Sequence, residues 1–321
     1  MIAVVHHPDY VAPVAPRGGP SKNATVRDLL LALGSAIDWH VPEPMPRSWV
    51  EAVHDPEYVA EVAEARVPPV KERRIGFPVT PLVATRAFAV PGGTYLAARL
   101  AIERGYAANT AGGSHHALAD TGAGYCVFND LAIAAIRLAA EGRRVLIVDC
   151  DVHQGDGTAS LTAGRTDIAT YSIHAEKNFP ARKAQSTLDV PLPDGVDDDG
   201  YMTALAATLP PLIADFAPDL ILYQAGVDPW AGDRLGRLAL SREGLLVRDR
   251  WIALLARDCG LPLASTLGGG YGSDMAEVAE RHVASILALG GVSENEETGS
   301  RKGAKPRRAL PDRPASGARG F

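Results

Sequence analysis

Cysteine is scarce, with only Cys126, Cys150 and Cys259 in 321 residues. Three thiols so far apart cannot build a disulfide framework or a thiolate zinc site, which excludes a disulfide scaffold and a zinc finger. Long apolar runs are missing as well. No stretch approaches the roughly 18 residues that a membrane span needs, and Met1-Ile2-Ala3-Val4-Val5-His6 lacks the basic region of a signal peptide. A soluble protein of a reducing, cytoplasmic compartment is the expectation. No internal repeat and no Gly/Ser or Pro linker divides the body, so one domain is expected, not two.

What is present is a large apolar fraction, 46%, enough for a sizeable core. The formal net charge of -6 is unevenly spread. From Thr298 to Phe321 seven Lys or Arg stand against Asp312 alone, so residues 1–297 hold 25 basic and 37 acidic residues. An acidic body favours cationic substrates and argues against nucleic acid as the main partner. The segment after Val292 is rich in Ser, Glu, Gly, Lys, Arg and Pro and has almost no apolar anchor. It reads as a disordered basic tail over 292–321, with the folded body over 1–291.

Short β-branched runs alternate with helical patterns, which predicts an α/β domain with a mostly parallel sheet flanked by helices. Strands are expected at Ile2-Val5, Ala107-Thr110, Val145-Asp149, Ile168-Ser172, Leu220-Gln224 and Leu263-Leu267. Helices are expected at Val26-Leu33, Glu57-Ala65, Tyr95-Arg104, Leu131-Ala140, Tyr201-Phe216, Arg242-Arg257 and Met275-Leu289.

Residues of catalytic type gather just after these strands, where open parallel sheets place their ligand sites. Gly112-Gly113-Ser114-His115-His116 offers two imidazoles on a glycine-rich turn, able to serve as general base and acid. A second pair, His6-His7, lacks such flanks and reads as structural or surface. After the buried run Val145-Val148, the residues Asp149, Asp151 and His153 follow at spacing two, on one side of an extended chain. Buried ionisable groups need partners or a cation, and Asp and His donors suit Zn²⁺ or Fe²⁺. Asp228, in Ala225-Gly226-Val227-Asp228-Pro229, could add a third ligand from a neighbouring strand end, although alone it is an ordinary Asp-Pro turn. Gly268-Gly269-Gly270 presents Tyr271, whose hydroxyl suits a developing oxyanion. No Lys-Ser/Thr follows those glycines, so a phosphate-binding Walker loop is excluded.

In order, these four motifs resemble the histone deacetylase family of the arginase/deacetylase superfamily, over about His54 to Leu289. Gly92-Gly93-Thr94, His153-Gln154-Gly155 and Gly232-Asp233-Arg234-Leu235-Gly236 look most like class IV members and their bacterial relatives. The chain departs from class I members at Gln154, where they carry a second His, and near Gly76-Phe77-Pro78, where they carry a rim acid. Arg17-Gly18-Gly19-Pro20-Ser21-Lys22 departs from the bacterial pattern, and no role is carried over to it.

The resemblance implies Asp151, His153 and Asp228 as Zn²⁺ ligands, with His116 as main general base or acid and His115 as its electrostatic partner. Asp149 and Asp156 would orient the two imidazoles, and Tyr271 would bind the substrate carbonyl. It further implies a structural K⁺ near Asp149, Ser172 and the carbonyls of Asp151 and His153. Gly124, Tyr125 and Phe179 match positions lining a substrate tunnel. The implied activity is deacylation of an acylated primary amine: acyl-lysine in a protein or peptide, or an acetylpolyamine or other small amide. Two rivals stand beside it. A dinuclear manganese hydrolase would need Asp-Ala-His-x-Asp motifs that are absent, and a non-catalytic acyl-binding module would be marked by loss of a ligand, the His pair or the tyrosine. His174 reads as a buried, hydrogen-bonded His, and Cys126 and Cys150 as inert buried thiols.

Overall fold

A computed structural model describes residues 1–11 and 21–291. The basic segment expected to be a tail lies outside the described residues, as does Arg17. Eight strands form one sheet in the order β2-β1-β3-β8-β7-β4-β5-β6. They are β1 (Ile2–Val5), β2 (Ile37–His40), β3 (Tyr106–Asn109), β4 (Val145–Asp149), β5 (Ile168–Ala175), β6 (Leu188–Leu192), β7 (Leu220–Gln224) and β8 (Leu263–Thr266). Every pairing is parallel. Parallel strands covered on both faces read as continuous apolar runs, and β4 and β7 are buried at all five positions.

Among the described residues, ten α-helices wrap the sheet: α1 (Lys22–Leu31), α2 (Arg47–Glu51), α3 (Pro56–Ala63), α4 (Pro69–Ile75), α5 (Pro81–Arg104), α6 (Asp130–Ala140), α7 (Asp156–Leu161), α8 (Asp198–Phe216), α9 (Arg242–Asp258) and α10 (Met275–Leu289). Alternate residues of β4 point to opposite layers. Leu146 and Val148 pack with Leu205 of α8 and Ile252 of α9, whereas Val145 and Ile147 pack with Leu131 and Leu138 of α6. On the first of these faces, α1 and α10 cover the β1–β2 edge through Leu30, Val283 and Ile286.

Six of the eight strands lie where the sequence predicts them, shifted by at most a few residues. The two it misses, β2 and β6, are the sheet edges. Each has one strand neighbour and is largely half-buried, and β6 carries Pro191, which has no N–H to give a ladder. The helix expected from Tyr95 instead begins at Pro81 and runs through Pro91-Gly92-Gly93. Pro-Gly-Gly reads as a breaker locally, yet packing requires the glycines here. A Cβ on Gly92 would lie 2.0 Å from the Glu43 carbonyl oxygen, and one on Gly93 would lie 1.8 Å from the Tyr10 hydroxyl. Short helices α2, α4 and α7 also went unpredicted.

The strand order reverses direction at β4. From β4 the chain moves outward to β5 and β6, then returns to β7 on the other side and continues to β8. The crevice beyond the C-terminal ends of β4 and β7 is therefore a topological switch point, where such sheets bind ligands.

Candidate active site

Four loops meet in this crevice: those after β3, β4, β7 and β8. The donor atoms of Asp151, His153 and Asp228 lie within 4.8 Å of one another, and all three residues are buried. His153 Nδ1 is 2.9 Å from Asp151 Oδ1 and 3.2 Å from Asp228 Oδ2. Ligands about 2.0–2.1 Å from a tetrahedral metal stand about 3.3 Å apart, so the spacing fits one such ion.

The outer oxygens of the two carboxylates are tied down by protein donors. Asp151 Oδ2 accepts from Gln224 Nε2 and the Gly269 amide, each at 2.7 Å. Asp228 Oδ1 accepts from the Val152 amide at 2.9 Å. Asp228 Oδ2 is buried without a hydrogen-bond partner and faces the His153 ring. Burial and the Asp151 charge push the Asp228 carboxyl up to about 7. Two buried carboxylates around one imidazole, with an oxygen left over, form a donor set that could hold a divalent metal.

Asp149 does not join this trio, although the extended-chain reading placed it on the same side. The chain leaves β-geometry after Asp149, and the carboxylate turns to His115, Oδ2 accepting from Nδ1 at 2.7 Å. In parallel, His116 Nδ1 meets Asp156 Oδ1, also at 2.7 Å. The two imidazoles titrate in opposite directions. Burial works against charge on both rings, but Asp149 and Asp151 overcome it at His115 and raise it to about 9. At His116, burial together with the neighbouring His115 lowers the pKa to about 4 despite Asp156.

Aromatic rings line the approach. Phe179 stands edge-on to His116, with centroids 4.8 Å apart, and Tyr125 lies 5.8 Å from Tyr271. Tyr271 lies 6.3 Å from His153, and burial pushes its phenol well above the usual range, reinforced by Asp151 and Asp228. Gly124 and Tyr125 both adopt positive φ, +52° and +66°. Their amides donate to the Arg74 and Ile75 carbonyls, which hold this unfavourable backbone in place. A Cβ on Gly124 would lie 2.6 Å from the His116 ring, so a larger residue there would push against that imidazole.

The structure thus gathers His115, His116, Asp149, Asp151, His153, Asp156, Asp228 and Tyr271, with Gly124, Tyr125 and Phe179 at the opening. Ser172 pairs in register with Asp149 across β5 and β4, and its hydroxyl lies 3.0 Å from His174 Nδ1. His174 is a buried, hydrogen-bonded residue, and so is His6, bonded to Thr110 at 2.7 Å. Burial raises both Cys126 and Cys150 thiols. Gln154 bridges the Ala184 backbone and Asp189, fastening β6 to the site loop.

Sequence reasoning missed the supporting residues. Asp130, at the start of α6, accepts from the Gly113 and Ser114 amides and the Thr94 hydroxyl, fixing the turn that carries the His pair. Arg248, fully buried in α9, donates to the Cys150 and Gly226 carbonyls, just ahead of Asp151 and Asp228. Lys22, to which no role was carried over, donates to the Gly268 carbonyl at 2.6 Å, and burial draws its pKa down to about 8. Only Asp130 had a signal, as an acid opening a helical pattern.

A histone deacetylase domain matches residues 19–287. An uncharacterised protein of Picosynechococcus sp. is 44% identical over 285 residues, covering 87% of this chain and 95% of that one. Histone deacetylase 8 of Xenopus tropicalis is 29% identical, over 78% of this chain and 74% of its own. Histone deacetylase 2 of Arabidopsis thaliana is 34% identical over 62% of this chain, and the match spans about half of that relative, 53%. The crystal structure of the HDA15 HD domain superposes with a TM-score of 0.75 at 22% identity, covering 92% of this chain and 90% of that one, and shows the shared fold. The chain belongs to the histone deacetylase family.

Proposed function

We propose that this protein is a zinc-dependent amidohydrolase that removes an acyl group, acetyl or longer, from an acylated primary amine such as acyl-lysine. One observation carries the reading. A buried two-carboxylate, one-imidazole donor set faces a neutral, carboxylate-oriented His116 and the phenol of Tyr271 at the end of an aromatic-lined opening.

Asp151, His153 and Asp228 would hold Zn²⁺ (Fe²⁺ suits the same donors), which when bound polarises a water and the substrate carbonyl. His116, neutral and held at Nδ1 by Asp156, leaves Nε2 to take the water proton and return one to the departing amine. His115, kept cationic by Asp149, holds positive charge beside the reacting centre. Tyr271 donates its hydroxyl hydrogen to the carbonyl oxygen as negative charge grows there. Gly124, Tyr125 and Phe179 form walls for the four methylenes of a lysine or polyamine arm. A structural K⁺ is proposed at Asp149, Ser172 and the carbonyls of Asp151 and His153. A non-catalytic acyl-binding module has no use for two carboxylate-oriented imidazoles beside a metal donor set.

The test is metal analysis followed by turnover of acetyl-lysine, acetylputrescine and myristoyl-lysine substrates. About one Zn²⁺ per chain is expected, with at least one substrate hydrolysed by wild type and far more slowly by His116→Ala. Two Mn²⁺ per chain, or no turnover of any of the three by metal-loaded protein, would overturn the proposal.

A further inference from the structure

Positive charge at the opening is distributed unlike the rest of the surface. Among the described residues, six exposed basic side chains make neither an ion pair nor a side-chain hydrogen bond: Arg73, Arg74, Arg143, Lys177, Arg182 and Arg234. Other exposed arginines are engaged; Arg47 pairs with Glu51, Arg165 with Asp167, Arg237 with Asp194 and Arg250 with Glu243. Arg143 lies away from the opening, in a cavity of about 410 Å³ that also holds Glu103 and Glu141. Of the remaining five, Arg73 and Arg74 lie in α4, Lys177 and Arg182 on the Phe179 loop after β5, and Arg234 on the loop after β7.

Backbone contacts place these five. The Arg74 carbonyl accepts from the Gly124 amide at 3.0 Å, and a Cβ on Gly76 would lie 2.9 Å from the Tyr125 ring, so the end of α4 abuts that wall. Lys177 and Arg182 flank Phe179 on the loop after β5. The Arg234 amide donates to the Tyr271 carbonyl at 3.2 Å, and Asn178 Nδ2 donates to the Leu235 carbonyl at 2.8 Å. That last bond fastens the Phe179 and Arg234 loops together. Carboxylates here are few and partly occupied. Asp233 accepts from the Tyr271, Leu235 and Gly236 amides, and Glu72 accepts from the Val79 amide, which leaves the exposed Glu176 and, on the Tyr125 loop, the exposed Asp120.

We infer that the acylated amine this site takes carries carboxylate groups beside the acylated arm, which the Arg74, Lys177, Arg182 and Arg234 side chains receive at the opening. The inference rests on the deacylase reading for the identity of the acylated nitrogen. It runs against the expectation from net charge that an acidic body selects cationic substrates. With a screening length of about 8–10 Å at physiological salt, the charges that meet a substrate are those of the rim and not those of the whole surface. A polycationic tail would meet five unpaired like charges, whereas an acidic one would find ready partners. Two sources share this chemistry: acyl-lysine flanked by Asp and Glu in a peptide, and a free acylated amino acid with its own carboxylate.

The experiment uses the full chain, zinc-loaded, with acetyl-lysine peptides identical except for Asp/Glu, Ala or Arg flanks, and with Nε-acetyl-lysine against its carboxamide. At low salt kcat/KM should favour acidic over basic flanks by about 10-fold, shrinking to about 2-fold in 0.5 M NaCl. Arg74→Glu/Arg182→Glu should invert the order. Preference for free Nε-acetyl-lysine over its carboxamide would assign the small-molecule source, and preference confined to peptides the peptide source. Equal or better turnover of the Arg-flanked peptide at low salt would overturn the inference and leave the deacylase reading standing. Fluorescence-anisotropy binding of the same peptides separates the reverse case. Tighter binding of the acidic peptide without turnover of any substrate would uphold the rim and remove the hydrolase, whereas equal binding of all three would remove the rim.

Discussion

His115 and His116 are chain neighbours with ring centroids 4.0 Å apart, yet each is gripped by its own carboxylate, Asp149 and Asp156. Two imidazoles so close cannot both carry positive charge cheaply. Asp149 and Asp151 settle the charge on His115, raised to about 9, while His116 falls to about 4. The pair therefore has a division of labour before any substrate arrives.

His116→Ala should lower kcat by about 10²- to 10⁴-fold, the usual contribution of a positioned general base, with zinc content unchanged. Steady-state kinetics beside metal analysis checks this. A variant that loses zinc as well as activity would show that His116 supports the metal loops.

Tyr271→Phe should cost about 10²-fold or more in kcat with a small change in KM, because the hydroxyl acts on charge that develops only in the transition state. The hydrogen bond that its backbone N–H donates to Asp233 Oδ2 is retained, so loop position is preserved. A loss falling mainly on KM would assign the hydroxyl to substrate binding.

Chelation should abolish activity and lower the thermal midpoint, with both restored by Zn²⁺, because the ion neutralises carboxylates that otherwise share a buried space. Asp228→Ala should reduce zinc stoichiometry below one per chain. Full zinc content in that variant would exclude Asp228 as a ligand.

Arg248→Met should destabilise the protein by about 3–5 kcal/mol, since it strands the buried Asp249 carboxylate, which also accepts from the Tyr223 hydroxyl. Arg248→Met/Asp249→Leu should recover part of that loss. Weaker zinc retention should persist in the double variant, because the bonds to the Cys150 and Gly226 carbonyls are still missing. Urea unfolding and competitive zinc titration check the two parts.

Acid should destabilise the fold through His54. Its Nε2 accepts the Asn129 amide and its Nδ1 meets the Leu118 carbonyl, so the ring is neutral with its proton on Nδ1. Burial lowers its pKa from 6.5 to about 4. The unfolded chain takes up the proton first, so this contribution is complete above about pH 6.5 and is lost as the pH falls toward 4. The urea midpoint should decline across that window, less steeply in His54→Gln. An equal slope in both proteins would exclude His54 as a contributor.

The sequence by itself determined the inner sheet strands and the chemistry at their ends. Apolar runs such as Val145-Val148 are buried on both faces whatever surrounds them, and Asp151, His153, Asp228 and Tyr271 follow such runs directly. Only the tertiary structure decided the edges, β2 and β6, because each is a strand by virtue of one neighbour. It also decided that Pro91-Gly92-Gly93 lies inside a helix, because Glu43 and Tyr10 approach too closely for any side chain. In the site, Asp149 turned from the Asp151–His153–Asp228 trio to His115, and Gln224, Arg248 and Lys22 entered as supports. Their partners are distant in the chain, Arg248 reaching Cys150 across 98 positions and Lys22 reaching Gly268 across 246, so no local pattern records them. Charge is divided in the same way: a sum over residues makes the body acidic, but only tertiary packing sets α4, with Arg73 and Arg74, beside the Tyr125 loop and ties the Phe179 loop to the Arg234 loop.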